Sequence, residues 1–203
     1  MKYDIIVVDD IIPLELQEDI KNFLSNNYFP WYICEEKVLT SPRSTYNYFK
    51  TISENIFEYS QFVHMFVNDS NVVSSANAIP MIVVNALKKK YNFLGNIIRS
   101  KANLSTKVSA SSNSLFNTPH VDNLNSHWVV IYYVNDSDGS TAIFNENISL
   151  TDSMTAIDQL TIQQQISPKQ GRCVIFDGNQ VHAGMHPIAT DYRTVINFNF
   201  SKQ

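Results

Sequence analysis

Thr118-Pro119-His120-Val121-Asp122-Asn123 is the stretch that decides how this chain folds and what it binds. His120 and Asp122 are two residues apart, so on an extended chain their side chains point to the same side. A second imidazole, His182, follows a β-prone run and precedes two small residues, Ala183 and Gly184. Two imidazoles and one carboxylate on one face suit Fe(II) and leave three coordination positions open. The pattern therefore predicts a metal site closed by three protein side chains.

The other three histidines are alternative candidates for metal ligands. His186 lies four residues after His182, but the segment is β-like and Pro187 follows, so we interpret His186 as a rim residue. His127 begins the next strand and is expected just behind the ligands. His64 lies among apolar residues without a nearby carboxylate motif, so we interpret it as structural.

Composition limits the classes of protein to consider. The chain has 203 residues, of which 44% are hydrophobic and 17% charged, which favours a single globular domain. A net charge of −4 gives no general attraction for nucleic acid, so none is expected as a partner. Cys34 and Cys173 have no partner spacing and are expected to be buried thiols. No signal segment or bilayer-spanning run is recognisable, which predicts a cytoplasmic protein that is not in a membrane.

The first part of the chain is expected to be mainly helical. A short strand is predicted over residues 4–8, and a helix from Pro13 to about Asn26, since proline suits a first helical turn. A better helix is predicted over residues 78–92, and an imperfect one over 53–67. Residues 40–50 have no clean period; they are either a loop over the site or an irregular segment anchored by its aromatic side chains.

After residue 95 the chain changes to short β-prone runs separated by turn residues. Strands are predicted over residues 103–110, 127–134, 141–144, 172–176 and 193–200. Helices followed by many short strands favour an α+β fold with a sandwich or barrel in the second half. We therefore expect one domain over residues 1–203, in which 1–95 support a catalytic core formed by 96–203.

These motifs, taken as a set, resemble the Fe(II)/2-oxoglutarate-dependent dioxygenases, specifically their prolyl-4-hydroxylase-like branch. The resemblance covers roughly residues 100–200 and rests on His120-Val121-Asp122-Asn123, residues 131–135, 139–142 and 168–176, His182-Ala183-Gly184 and Arg193. It implies a double-stranded β-helix, which is a jelly-roll of two sheets, with the N-terminal helices packed on the larger sheet.

The resemblance also implies roles for particular residues. His120, Asp122 and His182 would be the iron ligands, with Asp122 in an open polar site. Arg193 would bind the distal carboxylate of 2-oxoglutarate, because a guanidinium fork can meet both oxygens. Tyr133 would reach the same carboxylate, and Tyr132 would point the other way. The family commonly has Ser or Thr two residues after the arginine, and here Val195 stands there; Asn197, two residues further on, is expected to donate instead.

By the same resemblance, the cofactors are Fe(II) and the co-substrate 2-oxoglutarate, and whether ascorbate is needed stays open. The implied reaction hydroxylates a C–H bond, favoured in a prolyl or similar residue of a peptide or protein, and releases succinate and carbon dioxide. The alternatives are a free small-molecule substrate and a non-catalytic jelly-roll that binds a partner. Nucleobase-repair relatives carry a second arginine six residues after the first, where this chain has Asn199. The sequence leaves the oligomeric state undetermined.

Overall fold

Two antiparallel β-sheets pack face to face, with two helices on the outer face of the larger one. The computed structural model describes residues 4–34, 60–109, 116–148 and 160–203. The elements, in chain order, are β1 Ile6–Val8, α1 Leu14–Leu24, β2 Tyr32–Ile33, β3 Phe62–Asn68, β4 Asn71–Val72, α2 Ala78–Lys90, β5 Leu94–Thr106, β6 His127–Tyr133, β7 Thr141–Asn147, β8 Ile162–Ile166, β9 Cys173–Asp177, β10 Gln180–Gly184 and β11 Tyr192–Lys202.

The strand order is that of a jelly-roll. The larger sheet runs β1-β9-β6-β11-β5-β3-β2, with β4 paired to β3, and the smaller one runs β10-β7-β8. His120 forms an antiparallel bridge with His182, which adds the His-x-Asp segment to the free edge of β10. Apolar side chains of both sheets meet between them, among them Ile131, Ile143 and Phe176. The predicted α+β fold with a double-stranded β-helix is confirmed.

Side-chain alternation along β11 divides the interior into two regions. Ile196, Phe198 and Phe200 point outward into the main apolar core, beneath helices α1 and α2. Val195 points the other way, into the core between the sheets. The helices contribute Ile20, Leu24, Val83, Val84 and Leu87 to the outer core, all of which are buried. The prediction that the helices pack on the larger sheet is therefore confirmed, and the inner face of β11 is left for polar side chains.

The N-terminal part contains more β-structure than expected. Helices α1 and α2 lie where the sequence predicted them, and Pro13 directly precedes α1. The helix predicted over residues 53–67 is wrong where the structure describes it, because Phe62–Asn68 forms strand β3. This run is apolar on both faces of the strand, so it has no clear two-residue period. Residues 53–59 and the 40–50 segment lie outside the described residues.

His64 is structural, as predicted, although it lies on a strand. One ring nitrogen is 2.8 Å from the Pro30 carbonyl oxygen and the other is 2.8 Å from the Ser74 hydroxyl. Both polar atoms of this buried ring are thus satisfied, and no lone pair is left for a metal. Within the described residues, no helix has both the length and the apolar character needed to cross a membrane.

The loop between β10 and β11 is held by one carboxylate. Asp138, in the turn between β6 and β7, accepts hydrogen bonds from the backbone N–H groups of Ile188, Ala189 and Thr190 at 2.9–3.0 Å. It also accepts the hydroxyl proton of Thr190 at 2.7 Å. Burial alone would raise the pKa of this carboxyl, but the hydrogen bonds hold it well below its ordinary value. The loop that connects His182 to Arg193 is thereby fixed.

Replacing Asp138 with asparagine is expected to lower the free energy of unfolding by about 1 kcal/mol at neutral pH, since the group is exposed and solvent-screened. Because the pKa is lowered by folding, the stabilisation is present above pH ~4 and is lost as the pH falls below that value. Urea unfolding of both proteins between pH 7 and pH 3 measures this. Equal losses of stability on acidification in both proteins would contradict the prediction.

Candidate active site

Three side chains that the sequence singled out converge on one point between the sheets. The ligand-type atoms of His120, Asp122 and His182 all lie within 4.8 Å of one another. The Nε2 atoms of His120 and His182 are each 3.9 Å from an oxygen of Asp122. The two histidines face each other because their backbones exchange a pair of hydrogen bonds of 3.0 and 2.9 Å. Sheet pairing therefore brings together residues that are sixty positions apart in sequence.

Both imidazoles are oriented with a lone pair toward that point. The Nδ1 atom of His120 is 2.8 Å from the Thr118 carbonyl oxygen, and Nδ1 of His182 is 3.1 Å from that of Gln180. A carbonyl only accepts, so each Nδ1 carries the proton and each Nε2 carries a lone pair. Burial lowers the pKa of both rings, that of His182 to about 4. Two neutral imidazoles thus face the carboxylate, as metal ligation requires.

Asp122 is held by three side-chain donors. The Nη2 atom of Arg99 donates to Oδ1 at 2.6 Å, while the side-chain amides of Asn197 and Asn199 donate to Oδ2 at 3.0 and 2.9 Å. Burial would raise the pKa of this carboxyl, but the Arg99 charge in particular holds it well below its usual range. The carboxylate is therefore ionised and fixed in orientation, and it lies in an enclosed network of donors.

Arg193 and Thr141 form a second polar group at the other end of the same cavity. Arg193 is 5% exposed and forms no ion pair with any carboxylate of the described residues. Its Nη2 donates to the hydroxyl of Thr141 at 2.8 Å, and the phenol of Tyr133 donates to the same oxygen at 2.8 Å. A hydroxyl has two lone pairs and one proton. With both lone pairs used, the Thr141 proton is available to an anion in the cavity.

Gly139 allows the turn before β7 to approach Arg193 closely. A Cβ atom at Gly139 would lie 2.6 Å from the Met185 carbonyl oxygen and 3.0 Å from Cδ of Arg193. Any larger residue would push the turn away from the arginine.

The structure departs from the sequence expectations at two positions near the arginine. Tyr133 is fully buried and reaches Thr141, so its phenol lies behind the cavity wall. The Nδ2 atom of Asn197, expected near the co-substrate, donates to Asp122 instead, because Asn197 lies one pleat beyond Val195 toward the histidine end. The hydroxyl of Thr141 lies beside Arg193, where the family commonly has a hydroxyl from a Ser or Thr at the position of Val195.

Two functional candidates, Thr141 and Arg99, were missed by the sequence reasoning. Thr141 belongs to the Gly139-Ser140-Thr141-Ala142 motif but had been given no role. Arg99 precedes the strand that was predicted over 103–110, whereas β5 begins at Leu94 and includes it. A longer strand read in steps of two, through Arg99, Lys101, Asn103 and Ser105, would have shown a polar inner face.

The cavity between the two ends has a volume of about 160 Å³. Besides the groups already described, it is lined by Lys101, Asn103, Asn117 and, near residue 60, by Cys34, Ser60 and Gln61. Asn117 is 8% exposed, and neither polar atom of its amide has a hydrogen-bond partner among the residues that the structure describes. Cys173 is buried as predicted, whereas Cys34 is only half-buried at the cavity wall.

The other two histidines are not members of the three-residue cluster. His127 begins β6 and is fully buried, with Nδ1 2.7 Å from the Asn125 carbonyl oxygen. His186 is buried, with Nδ1 2.9 Å from the Thr106 carbonyl oxygen, and it is not part of the three-residue cluster. His182 is thus the imidazole that meets His120.

Residues 107–201 match the model of the 2OG-Fe(II) oxygenase superfamily. This match supports a 2OG-Fe(II) oxygenase. It includes the three convergent residues and Arg193, which the fold brings into one cavity. The matched region and the fold together indicate a 2-oxoglutarate-dependent dioxygenase, and the matched family works with Fe(II) and 2-oxoglutarate. No curated protein sequence matches the chain.

Solved structures of other oxygenases share the fold at low sequence identity. The non-haem alpha-ketoglutarate-dependent epimerase SnoN from nogalamycin biosynthesis has a TM-score of 0.62 at 10% identity, over 98% of this chain and 78% of that one. A Pseudomonas putida prolyl-4-hydroxylase has a TM-score of 0.55 at 12% identity, over 98% and 92%. A prolyl hydroxylase from Trichoplax adhaerens, solved with a hypoxia inducible factor peptide fragment, has a TM-score of 0.58 at 13% identity, over 97% and 83%.

Proposed function

We propose that this oxygenase hydroxylates a C–H bond of a prolyl or similar residue in a peptide or protein. In this proposal His120, Asp122 and His182 hold Fe(II), and Arg193 holds the distal carboxylate of 2-oxoglutarate. One observation carries it: a single cavity has a metal-type cluster at one end and, at the other, a buried cation that pairs with no carboxylate in the described part of the chain. A dicarboxylate that chelates the metal with one end needs these two groups.

The protein's part in the reaction follows from the described contacts. The guanidinium of Arg193 and the free proton of Thr141 orient the distal carboxylate, so that the keto-acid end points to the ligand cluster. The neutral Nε2 atoms and the ionised Asp122 need lose no proton to receive a divalent ion. Bound Fe(II) supplies the activation of oxygen that breaks the C–H bond. The apolar walls formed by Ile131 and Val195 keep water from this region.

A peptide substrate is supported by the unsatisfied amide of Asn117. A buried amide with neither end paired is costly, by roughly 1–3 kcal/mol for each polar group, so such a group is usually matched by a ligand or water. Its carbonyl and NH₂ groups complement the N–H and C=O groups of a peptide bond. The Oδ1 atom of Asn103, buried and without a partner in the same cavity, adds a second acceptor.

A free small molecule is the second candidate. The polar lining that suits a peptide bond also suits a hydroxylated or carboxylated molecule, since Lys101 brings a positive charge to the same wall. SnoN, which shares the fold, is an epimerase from nogalamycin biosynthesis.

The test begins with anaerobic addition of Fe(II) and 2-oxoglutarate, with the metal-to-ligand charge-transfer absorbance as the readout. Succinate release is then measured with proline-containing peptides, with free proline and without substrate, with and without ascorbate. A gain of one oxygen atom on a peptide, found by mass spectrometry, supports the proposal. Stimulation only by free small molecules favours the second candidate, and the absence of both band and succinate excludes the assigned site.

A further inference from the structure

Asp122 receives three hydrogen bonds from two neighbouring strands of the larger sheet. On β5 and β11, Arg99 lies directly opposite Asn199, and Lys101 lies opposite Asn197. Residues opposite each other in an antiparallel pair share one face of the sheet. Arg99, Asn197 and Asn199 therefore point together into the interior, where all three donate to the same carboxylate.

The number of donors limits how this carboxylate can bind a metal. A carboxylate offers about four in-plane lone-pair sites, two on each oxygen. The two asparagine amides occupy both sites of Oδ2, and Arg99 occupies one site of Oδ1. A single lone pair remains, on Oδ1. Nε2 of His120 lies 3.9 Å from Oδ1, and Nε2 of His182 lies 3.9 Å from Oδ2.

We propose that Arg99, Asn197 and Asn199 are positioning residues that restrict Asp122 to one metal bond, through Oδ1. The inference rests on the proposed metal centre. A carboxylate bound through both oxygens would fill a coordination position that the keto acid or oxygen needs, so the restriction keeps three positions open. Removing either asparagine amide would free a lone pair on Oδ2 and allow the second metal bond.

Arg99 also sets the charge of the centre. Its guanidinium repels a divalent ion bound to the same oxygen, whereas the two amides are neutral. At the short distances involved, the repulsion of a cation outweighs the loss of one orienting hydrogen bond. The donor set therefore keeps metal affinity lower than the ligands alone would give, and it keeps the open positions available. Loss of Arg99 should therefore raise metal affinity.

The experiment loads the protein with Mn(II) in the absence of substrate. It compares the wild type with three variants, each of which removes one hydrogen-bond donor to Asp122: Arg99→Met, Asn199→Leu and Asn197→Leu. Water-proton relaxation by bound Mn(II) counts the waters on the metal, and chelator competition measures affinity. We expect one fewer bound water and weaker 2-oxoglutarate binding in each asparagine variant, and at least about tenfold tighter Mn(II) binding in Arg99→Met only. Arg172→Met, which removes an arginine paired with Asp9 away from the cavity, is the control.

The outcomes separate this inference from the metal centre itself. If the wild type binds Mn(II) no better than Asp122→Ala does, the proposed centre is wrong. If the wild type binds Mn(II) but both asparagine variants keep its water count, the positioning role is wrong and the centre stands. Should Arg99→Met not fold, the asparagine variants carry the test alone, because they leave the buried ion pair of Arg99 and Asp122 in place.

Discussion

Asp122→Ala is expected to abolish 2-oxoglutarate turnover and to weaken Fe(II) binding by at least about a hundredfold. The carboxylate is the proposed centre's one anionic ligand, and two neutral imidazoles alone hold a divalent ion poorly. The sequence suggested that this change would leave the fold nearly intact, because Asp122 was expected in an open site. The structure corrects that expectation, since the carboxylate is nine-tenths buried and pairs with Arg99.

Stability should therefore fall together with metal binding. Removing one partner of a largely buried pair leaves the other charge uncompensated, which we expect to cost about 2–4 kcal/mol in the metal-free protein. Asp122→Ala combined with Arg99→Met should recover part of that loss, because the orphaned charge is also removed. Denaturant unfolding of the metal-free proteins, with Fe(II) binding measured anaerobically, tests both statements. An Asp122→Ala protein that matched the wild type in stability and turnover would refute them.

The second large effect is expected at Arg193. Arg193→Lys keeps the charge but loses the planar fork, so we expect the KM for 2-oxoglutarate to rise by about tenfold or more, equivalent to about 1.4 kcal/mol. Metal affinity should change little, because the guanidinium contacts Thr141 and lies at the opposite end of the cavity. Kinetics at varied 2-oxoglutarate, together with Mn(II) affinity, separate the two effects.

Pyruvate provides a sharper comparison because it lacks the distal carboxylate. The wild type should prefer 2-oxoglutarate strongly, and Arg193→Lys should lose much of that preference. Thr141→Val is the matched variant, since it removes one donor to the same carboxylate and leaves the arginine. A smaller loss of preference is expected there. Full preference in Arg193→Lys would mean that another residue anchors the co-substrate.

The alternation of side chains along each strand was sufficient to predict most of the structure in the second half of the chain. The alternation of β11 correctly separated Ile196 and Phe198 from Arg193, because one face of that strand packs on a large apolar core. The His-x-Asp spacing correctly placed two side chains on one side of the chain. Both inferences use only a two-residue period, which each strand carries in its own sequence.

What local rules could not predict depends on pairing between distant strands. The contact between Arg99 and Asp122 requires the register of β5 against β11, which no residue of either strand specifies alone. Thr141 reaches Arg193 across the two sheets for the same reason. Strand β3 was misread as a helix because both of its faces are covered, so the usual polar-apolar alternation is missing.

The paired backbones of His120 and His182 have a consequence for metal exchange at the proposed centre. Their reciprocal hydrogen bonds, 3.0 and 2.9 Å long, set the spacing of the two imidazoles without any ion. In the proposed centre, a metal ion would therefore be able to leave and return without any change in the backbone that spaces the two imidazoles.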